Sequence, residues 1–338
     1  MGGKALNRFG VFTERKNTDE FLRIGRDLEF QVFDDFNGVH AIECAVVTCY
    51  RTKETHGDLD LLISVPEGAN IDWKRYIQTA YKPQAINANG GVYSFDYEGF
   101  QVDFIPIPER KWETALVYFS YDPLGNIMGK TFHKFGMSYG WEGLFYKYRN
   151  AHGTNSANIL LSNDVEKIFT YGGYDYERYL QGFDTLEDIF KFAINSKYFD
   201  VEMFQMESLK SIDKKRNRKR GSYHLFLNYL KENGIKTRFE FSADKGEYFP
   251  LMNETFPEAN LYDELKKLAK IDARNSELRM RFNGDIVMTW LPDLKGKELG
   301  DVMGKFKTAL GDNYEEFILH SSFSELHDYF MKVYNEKH

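Results

Sequence analysis

Three aspartates stand in surroundings and at spacings that could do chemistry. Asp58 and Asp60 lie in His56-Gly57-Asp58-Leu59-Asp60-Leu61-Leu62-Ile63, and Asp103 lies in Phe100-Gln101-Val102-Asp103-Phe104-Ile105-Pro106-Ile107. Both segments read as strands. Residues two apart in a strand share a face, so Asp58 and Asp60 project side by side, about 7 Å apart along the backbone. Leu59 and Leu61 then point to the other face, where a helix can pack on them. Neighbouring carboxylates on an apolar strand are costly unless a cation sits between them. If the strand of Asp103 neighbours the first, the three carboxylates converge on one face. Oxygen-only ligands suit Mg2+ or Mn2+. Two such ions about 4 Å apart can activate a hydroxyl and stabilise a departing pyrophosphate. A lone Asp-x-Asp also occurs on ordinary solvated strands. Gly57 before it, the apolar flanks and the third aspartate separate this one from that case.

The elements that must hold these residues follow from periodicity. Phe21, Leu22, Ile24, Leu28 and Val32 give residues 17–33 a helical stripe, with Asn17 or Thr18 as cap. Residues 41–50 read as a buried strand and 58–65 as another, closed by Pro66-Glu67-Gly68. A short helix is expected over Trp73–Tyr81. Residues 92–107 read as a hairpin about Glu98-Gly99. From 112 onward helices dominate: 123–136, 163–172, 185–195 (opened by Thr185 and Asp188), 222–233, 261–271 and 323–335. A short strand is expected at 237–242. The fold class is therefore α+β, a small mixed sheet with helices followed by a mostly helical region. The expected division is 1–115, 116–190 and 191–338, with breaks near the polar stretch 151–158 and near 195–199.

The length of 338 residues fits two or three compact units, and 42% hydrophobic residues supply a core. The 29 Phe and 22 Tyr can build that core or stack on bases. A net charge of −7 argues against coating nucleic acid through overall charge, and leaves room for a local basic groove. Cys44 and Cys49, five apart in one strand, would face opposite ways, so neither a disulfide nor a zinc site is expected. So few cysteines fit a reducing, cytoplasmic setting. No apolar run marks a secretory leader, no stretch is long enough to span a membrane, and Leu6 stands where a myristoylation signal needs Ser or Thr.

Tyr50-Arg51-Thr52-Lys53-Glu54-Thr55-His56-Gly57-Asp58-Leu59-Asp60-Leu61-Leu62-Ile63 resembles the palm signature of the DNA polymerase beta (family X) superfamily. The similarity continues at Val102-Asp103-Phe104-Ile105-Pro106, at Leu116-Val117-Tyr118-Phe119-Ser120, at Asn126 and at Gly136-Met137-Ser138-Tyr139, covering roughly residues 41–150. The resemblance implies a nucleotidyltransferase in which Asp58 and Asp60 bind two Mg2+ or Mn2+ ions and the triphosphate, while Asp103 binds the catalytic metal and acts on the primer hydroxyl. It implies that Arg51 contacts the β and γ phosphates, where a guanidinium fork suits the geometry. It places Thr48, Cys49 and Gly57 on the nucleotide, Tyr118 and Phe119 at the sugar, and Asn126 at the base edge. A surface ion pair for Arg51 and core packing for the two rings are the ordinary alternatives. The chain departs from the family at Thr48-Cys49, where the family has Gly-Ser, and at Tyr121, where it has Gly, which would crowd the sugar pocket. No room precedes residue 40 for the family's lyase and helix–hairpin–helix modules, so a standard base-excision-repair role is not expected. His56 and His133 receive no role.

Residues 282–310 resemble the tail helix of class II tRNA nucleotidyltransferases (CCA-adding enzymes), although Gly284-Asp285 and Lys295-Gly296 are also ordinary turn and cap signals. Upstream, Lys210 to Arg220 holds seven basic residues. Lys214, Lys215, Arg216, Arg218, Lys219 and Arg220 are the candidates for nucleic-acid contact, with a solvated helix face as the alternative. The expected partners are a nucleoside triphosphate and a tRNA or DNA 3′ end. The expected reaction is nucleotide addition to a nucleic-acid 3′-hydroxyl, on RNA of the tRNA kind. A small gap-filling family X DNA polymerase is the alternative, and a toxin-like nucleotidyltransferase acting on a protein or small molecule is a third.

Overall fold

A computed structural model describes residues 3–150 and 153–336. Met1, Gly2 and part of the stretch 151–158 lie outside the described residues. The chain forms two compact units, one of residues 1–147 with 158–261 and one of residues 148–157 with 262–338. The expected three-part division is drawn differently here: 116–190 and 191–261 group largely with the sheet.

The first unit opens with β1 (Lys16–Asn17), α1 (Thr18–Phe36), β2 (Glu43–Val46), β3 (Thr55–His56), β4 (Asp58–Val65), α2 (Trp73–Ala80), β5 (Ile86–Asn89), β6 (Val92–Tyr97) and β7 (Phe100–Pro108). Five of these make one mixed sheet in the order β2-β4-β7-β6-β5, with β4 and β7 parallel and the other pairs antiparallel. The hairpin forms as expected. Glu98 and Gly99 both take positive φ, as a two-residue turn matched to strand twist requires. Leu59, Leu61, Val102 and Phe104 bury one face of the sheet under α1 and α2, together with Phe21, Ile24, Leu28, Trp73 and Ile77. Asn17 caps α1 by accepting from Glu20 N–H at 2.9 Å. Gly25 lets α1 approach β2, since a Cβ there would meet Val46 at 2.8 Å. The expected strand over 41–50 is only four residues long; Val47, just past its end, still donates to Asp60 O at 2.9 Å and packs on the opposite face with Leu62, Ile105, Ile107 and Ala115.

The chain continues through α3 (Trp112–Phe119), α4 (Leu124–Lys134), β8 (Met137–Gly140), β9 (Gly143–Arg149), β10 (Asn155–Ser162), α5 (Val165–Gly172), α6 (Tyr176–Leu180), α7 (Leu186–Ile194), α8 (Ser211–Asn217), α9 (Gly221–Glu232) and α10 (Phe249–Thr255). Asp164 and left-handed Gly173 cap α5, and Thr185 with Asp188 forms a capping box on α7. The strand expected at 237–242 does not form. The N–H groups of Arg238 and Phe239 both go to Phe199 O instead of a ladder, while Phe239 and Phe241 pack edge-on against Tyr198 and Phe135 respectively.

The second unit contains α11 (Leu261–Arg281), α12 (Gly284–Trp290), α13 (Gly296–Leu310), α14 (Tyr314–His320) and α15 (Phe323–Asn335). Phe282, Phe306 and Phe330 centre its core, with Val287, Ile318 and Leu326. The single tail helix expected over 282–310 is two helices, broken between Leu291 and Lys295 around Pro292. No helix among the described residues is long and apolar enough to cross a membrane.

Candidate active site

The parallel pairing of β4 with β7 puts Asp60 directly opposite Asp103 and Asp58 opposite Gln101. The period-two rule then places all three carboxylates on one face, opposite the face that α1 and α2 cover. All three are half-buried. Burial and the charges of Asp103, Asp58 and Asp122 push the Asp60 carboxyl well above the usual carboxylate range, with Lys53 pulling the other way. Asp103 is pushed up to about 6, first by burial and further by Asp58, while hydrogen bonds from Ser94 and Gln101 hold it back. This is an oxygen-only cluster with one lysine to offset it, and its chemistry fits a hard divalent cation. In this side-chain arrangement no three such groups among the described residues chelate a single point.

Four contributors were not singled out from sequence. Gln101 is buried and donates from Nε2 to Asp103 Oδ1 at 3.0 Å. Its place two residues before Asp103 on the same face was legible, since the period-two rule applies to it equally. Ser94 bonds Asp103 from the neighbouring β6, where it is the cross-strand partner. Lys53 lies near Asp60 and donates to Cys49 Sγ at 3.3 Å. Asp122 follows α3 and accepts from Ser222 Oγ at 2.6 Å; no local pattern announces either contact.

The turn before Asp58 is tightly fixed. His56 is buried and stacks on Phe21 with centroids 3.8 Å apart and planes 11° from parallel. Burial and the nearby Lys53 and Arg15 cations lower its pKa to about 4. Gly57 is buried, and the N-terminal segment crosses over it: Gly3 N–H donates to Asp58 Oδ2 at 3.2 Å and Ala5 N–H donates to Gln101 Oε1 at 2.8 Å.

The nucleotide candidates are placed as follows. Arg51 is exposed and ion-paired with Asp184 at 2.6 Å, and it also donates to Gln181 O. The surface-pair alternative is thus its arrangement in this structure. Thr48 accepts through its carbonyl from Tyr121 N–H at 2.8 Å, tying the Thr48-Cys49 segment to the end of α3. Cys44 and Cys49 are free thiols, and burial raises both. Cys49 lies outside β2, so the two do not share a strand as expected. Tyr118 and Phe119 are half-buried at the C-terminal end of α3 and meet edge-on, centroids 5.5 Å apart. Tyr121 takes φ +58°, the left-handed region, and its ring packs edge-on against Phe183 and Tyr179. Asn126 lies in α4 and donates to Asn217 Oδ1 at 3.1 Å, so its amide is engaged by α8.

The basic run forms α8 and the turn after it. Lys215, Arg216, Arg218 and Lys219 are exposed, and Lys214 and Arg220 are half-buried. Its acidic member, Asp213, pairs with buried Lys130 of α4 at 3.4 Å. A cavity of about 1130 Å3 includes Ser64, Trp112, Glu113 and Asp164 in its lining and holds none of the three aspartates.

No family profile and no curated protein sequence matches the chain. Two solved structures of Leishmania infantum polymerase beta, a ternary P/T complex and a ternary gap complex, are similar to it at 16% identity and TM-score 0.34. The similarity covers 42% of this chain and 62% and 55% of theirs. The chain therefore matches less than two thirds of the length of either.

Proposed function

We propose that the chain is a metal-dependent nucleotidyltransferase that transfers a nucleoside monophosphate from a triphosphate to a nucleic-acid 3′-hydroxyl, on RNA of the tRNA kind. One observation carries the reading: Asp60 and Asp103 are partners on parallel strands, with Asp58 two residues before Asp60 on the same face. The ordered sequence motifs from Tyr50 to Asn126 support it.

Two Mg2+ or Mn2+ ions, held by Asp58, Asp60 and Asp103, would neutralise charge on the phosphates and on the leaving pyrophosphate. The 3′-oxygen bonds to the α-phosphorus, the α–β phosphoanhydride bond breaks, and pyrophosphate leaves. Asp103 takes the hydroxyl proton; a carboxylate that titrates closer to neutral pH suits that task. Arg51 exchanges Asp184 for the triphosphate, because an ion pair exposed on both sides is weakly held. Thr48, Cys49 and Gly57 line the phosphate side, Tyr118 and Phe119 the sugar, and Asn126 the base edge. Lys214, Lys215, Arg216, Arg218, Lys219 and Arg220 hold the acceptor's phosphodiester backbone.

A second reading, gap filling with deoxynucleotides, is favoured by the Tyr118-Phe119 pair, which the resemblance ties to deoxynucleotides and which sits half-buried and edge-on at the end of α3. An extension panel separates the readings: tRNA lacking its 3′ end and single-stranded, nicked and gapped DNA, each with NTPs or dNTPs and Mg2+. NTP addition to tRNA supports the first and gap-directed dNTP addition the second. No extension of any acceptor removes both and turns attention to protein or small-molecule acceptors.

A further inference from the structure

The N-terminal segment is built into the carboxylate face. Leu6 is 1% exposed. Thr13 Oγ1 donates to Gly3 O at 3.1 Å, and Asn87 Nδ2 donates to Ala5 O at 3.2 Å. Further along, β1 pairs with β3, two residues before Asp58. Gly3 has φ +78°, and a Cβ on it would stand 2.2 Å from Gly57 O, so the segment approaches the site as closely as backbone allows. Two of its N–H groups face the site, one to Asp58 and one to Gln101.

The Gln101 contact sets a direction. An amide side chain presents an acceptor at one end and donors at the other. Ala5 N–H requires the acceptor, so Oε1 faces the segment and Nε2 is left to donate to Asp103. Gln101 is 2% exposed, so water does not offer it another arrangement. Gly3 N–H and Gln101 Nε2–H each engage one oxygen of a carboxylate, Asp58 and Asp103 respectively, which orients the group without neutralising it.

We propose that Gln101, with its amide fixed by the N-terminal backbone at Ala5, is the positioning residue for Asp103, and that Gly3 N–H does the same for Asp58. The inference rests on the metal-dependent reading above. Partners that orient metal-binding groups in this way change metal affinity by about 10- to 100-fold when removed.

The test is Mn2+ binding, read by the loss of the free-ion paramagnetic signal, on the full chain and on Gln101→Met, Gln101→Glu and Asp103→Ala. The expected result is about 10-fold weaker Mn2+ binding in Gln101→Met. In extension assays kcat falls and KM for the nucleotide is unchanged. Gln101→Glu keeps the acceptor for Ala5 and adds a fourth carboxyl to the face; binding restored to wild type in it while Gln101→Met binds weakly would assign the loss to charge rather than to the orientation of Asp103 and overturn the proposal, whereas weaker binding in both supports it. Circular dichroism and unfolding temperature check that each variant is folded. Gln101→Met binding Mn2+ like wild type overturns the positioning role alone. Wild type binding no better than Asp103→Ala overturns the metal-dependent reading and this inference with it.

Discussion

Replacing His56 by Phe keeps the ring stack on Phe21 and deletes one titrating group beside the site. In the folded chain the imidazole takes a proton only near pH 4, whereas an unfolded chain takes it near the ordinary 6.5. The folded-state pKa of this base is depressed, so between those values the unfolded chain binds the extra proton. Stability is therefore full above the ordinary pKa and falls as pH drops toward the folded one. From about pH 7.5 to about pH 4.5 the loss owed to His56 is about 2–3 kcal/mol. For a unit of this size that is about 5–10 °C in Tm. Thermal unfolding of wild type and His56→Phe at the two pH values reads the difference directly, because all other titrating groups are shared. The variant should lose that much less on acidification. An equal loss in both proteins would refute the reasoning, and with it the view that a neutral, stacked His56 fixes the Gly57-Asp58 turn.

Other outcomes follow from the same contacts. In EDTA, Asp103→Asn should raise the unfolding temperature above about pH 6, since the raised carboxyl pKa makes the folded wild type lose stability as pH rises from the ordinary 3.8 through that value; unfolding scans from pH 4 to 8 check this. Gly3→Val should release the N-terminal segment at a cost of about 1–3 kcal/mol, seen as faster amide exchange over residues 3–6 while the sheet stays protected. Lys130→Met should destabilise by about 1–3 kcal/mol by leaving Asp213 unpaired, and adding Asp213→Asn should recover part of it in denaturant titrations. Replacing Arg216, Arg218 and Lys219 together by Gln should lower the salt dependence of RNA binding by up to about 3 in log–log slope; an unchanged slope would remove α8 from the interface.

Much of the mixed sheet was legible because its signals are local and periodic. Alternation about Leu59 and Leu61 gave the buried face, Glu98-Gly99 gave the turn, and Asn17 and Thr185 gave the caps. The shared face of Asp58 and Asp60 needed only the two-residue period; that Asp103 lies beside Asp60 needed the parallel pairing, which spacing alone does not specify. What the sequence hid is set by distant partners. Arg51 meets Asp184 and Asn126 meets Asn217, each across more than 90 residues. The Phe239 and Phe241 alternation reads as a strand, yet the Phe239 N–H bonds Phe199 O and the rings find Tyr198 and Phe135 instead. The segment from Gly3 to Leu6 has no period at all, and its role appears only once Gly57 and Gln101 are in place.

The central claim is tested most directly by nucleotide transfer to a 3′-end-trimmed tRNA, followed with labelled NTP and Mg2+ in wild type, Asp60→Asn and Asp103→Asn. Labelled product from wild type, a fall on the order of 10³-fold in both variants and no product in EDTA are expected. Product formed equally by wild type and both variants would contradict the assignment of these aspartates as the reaction centre.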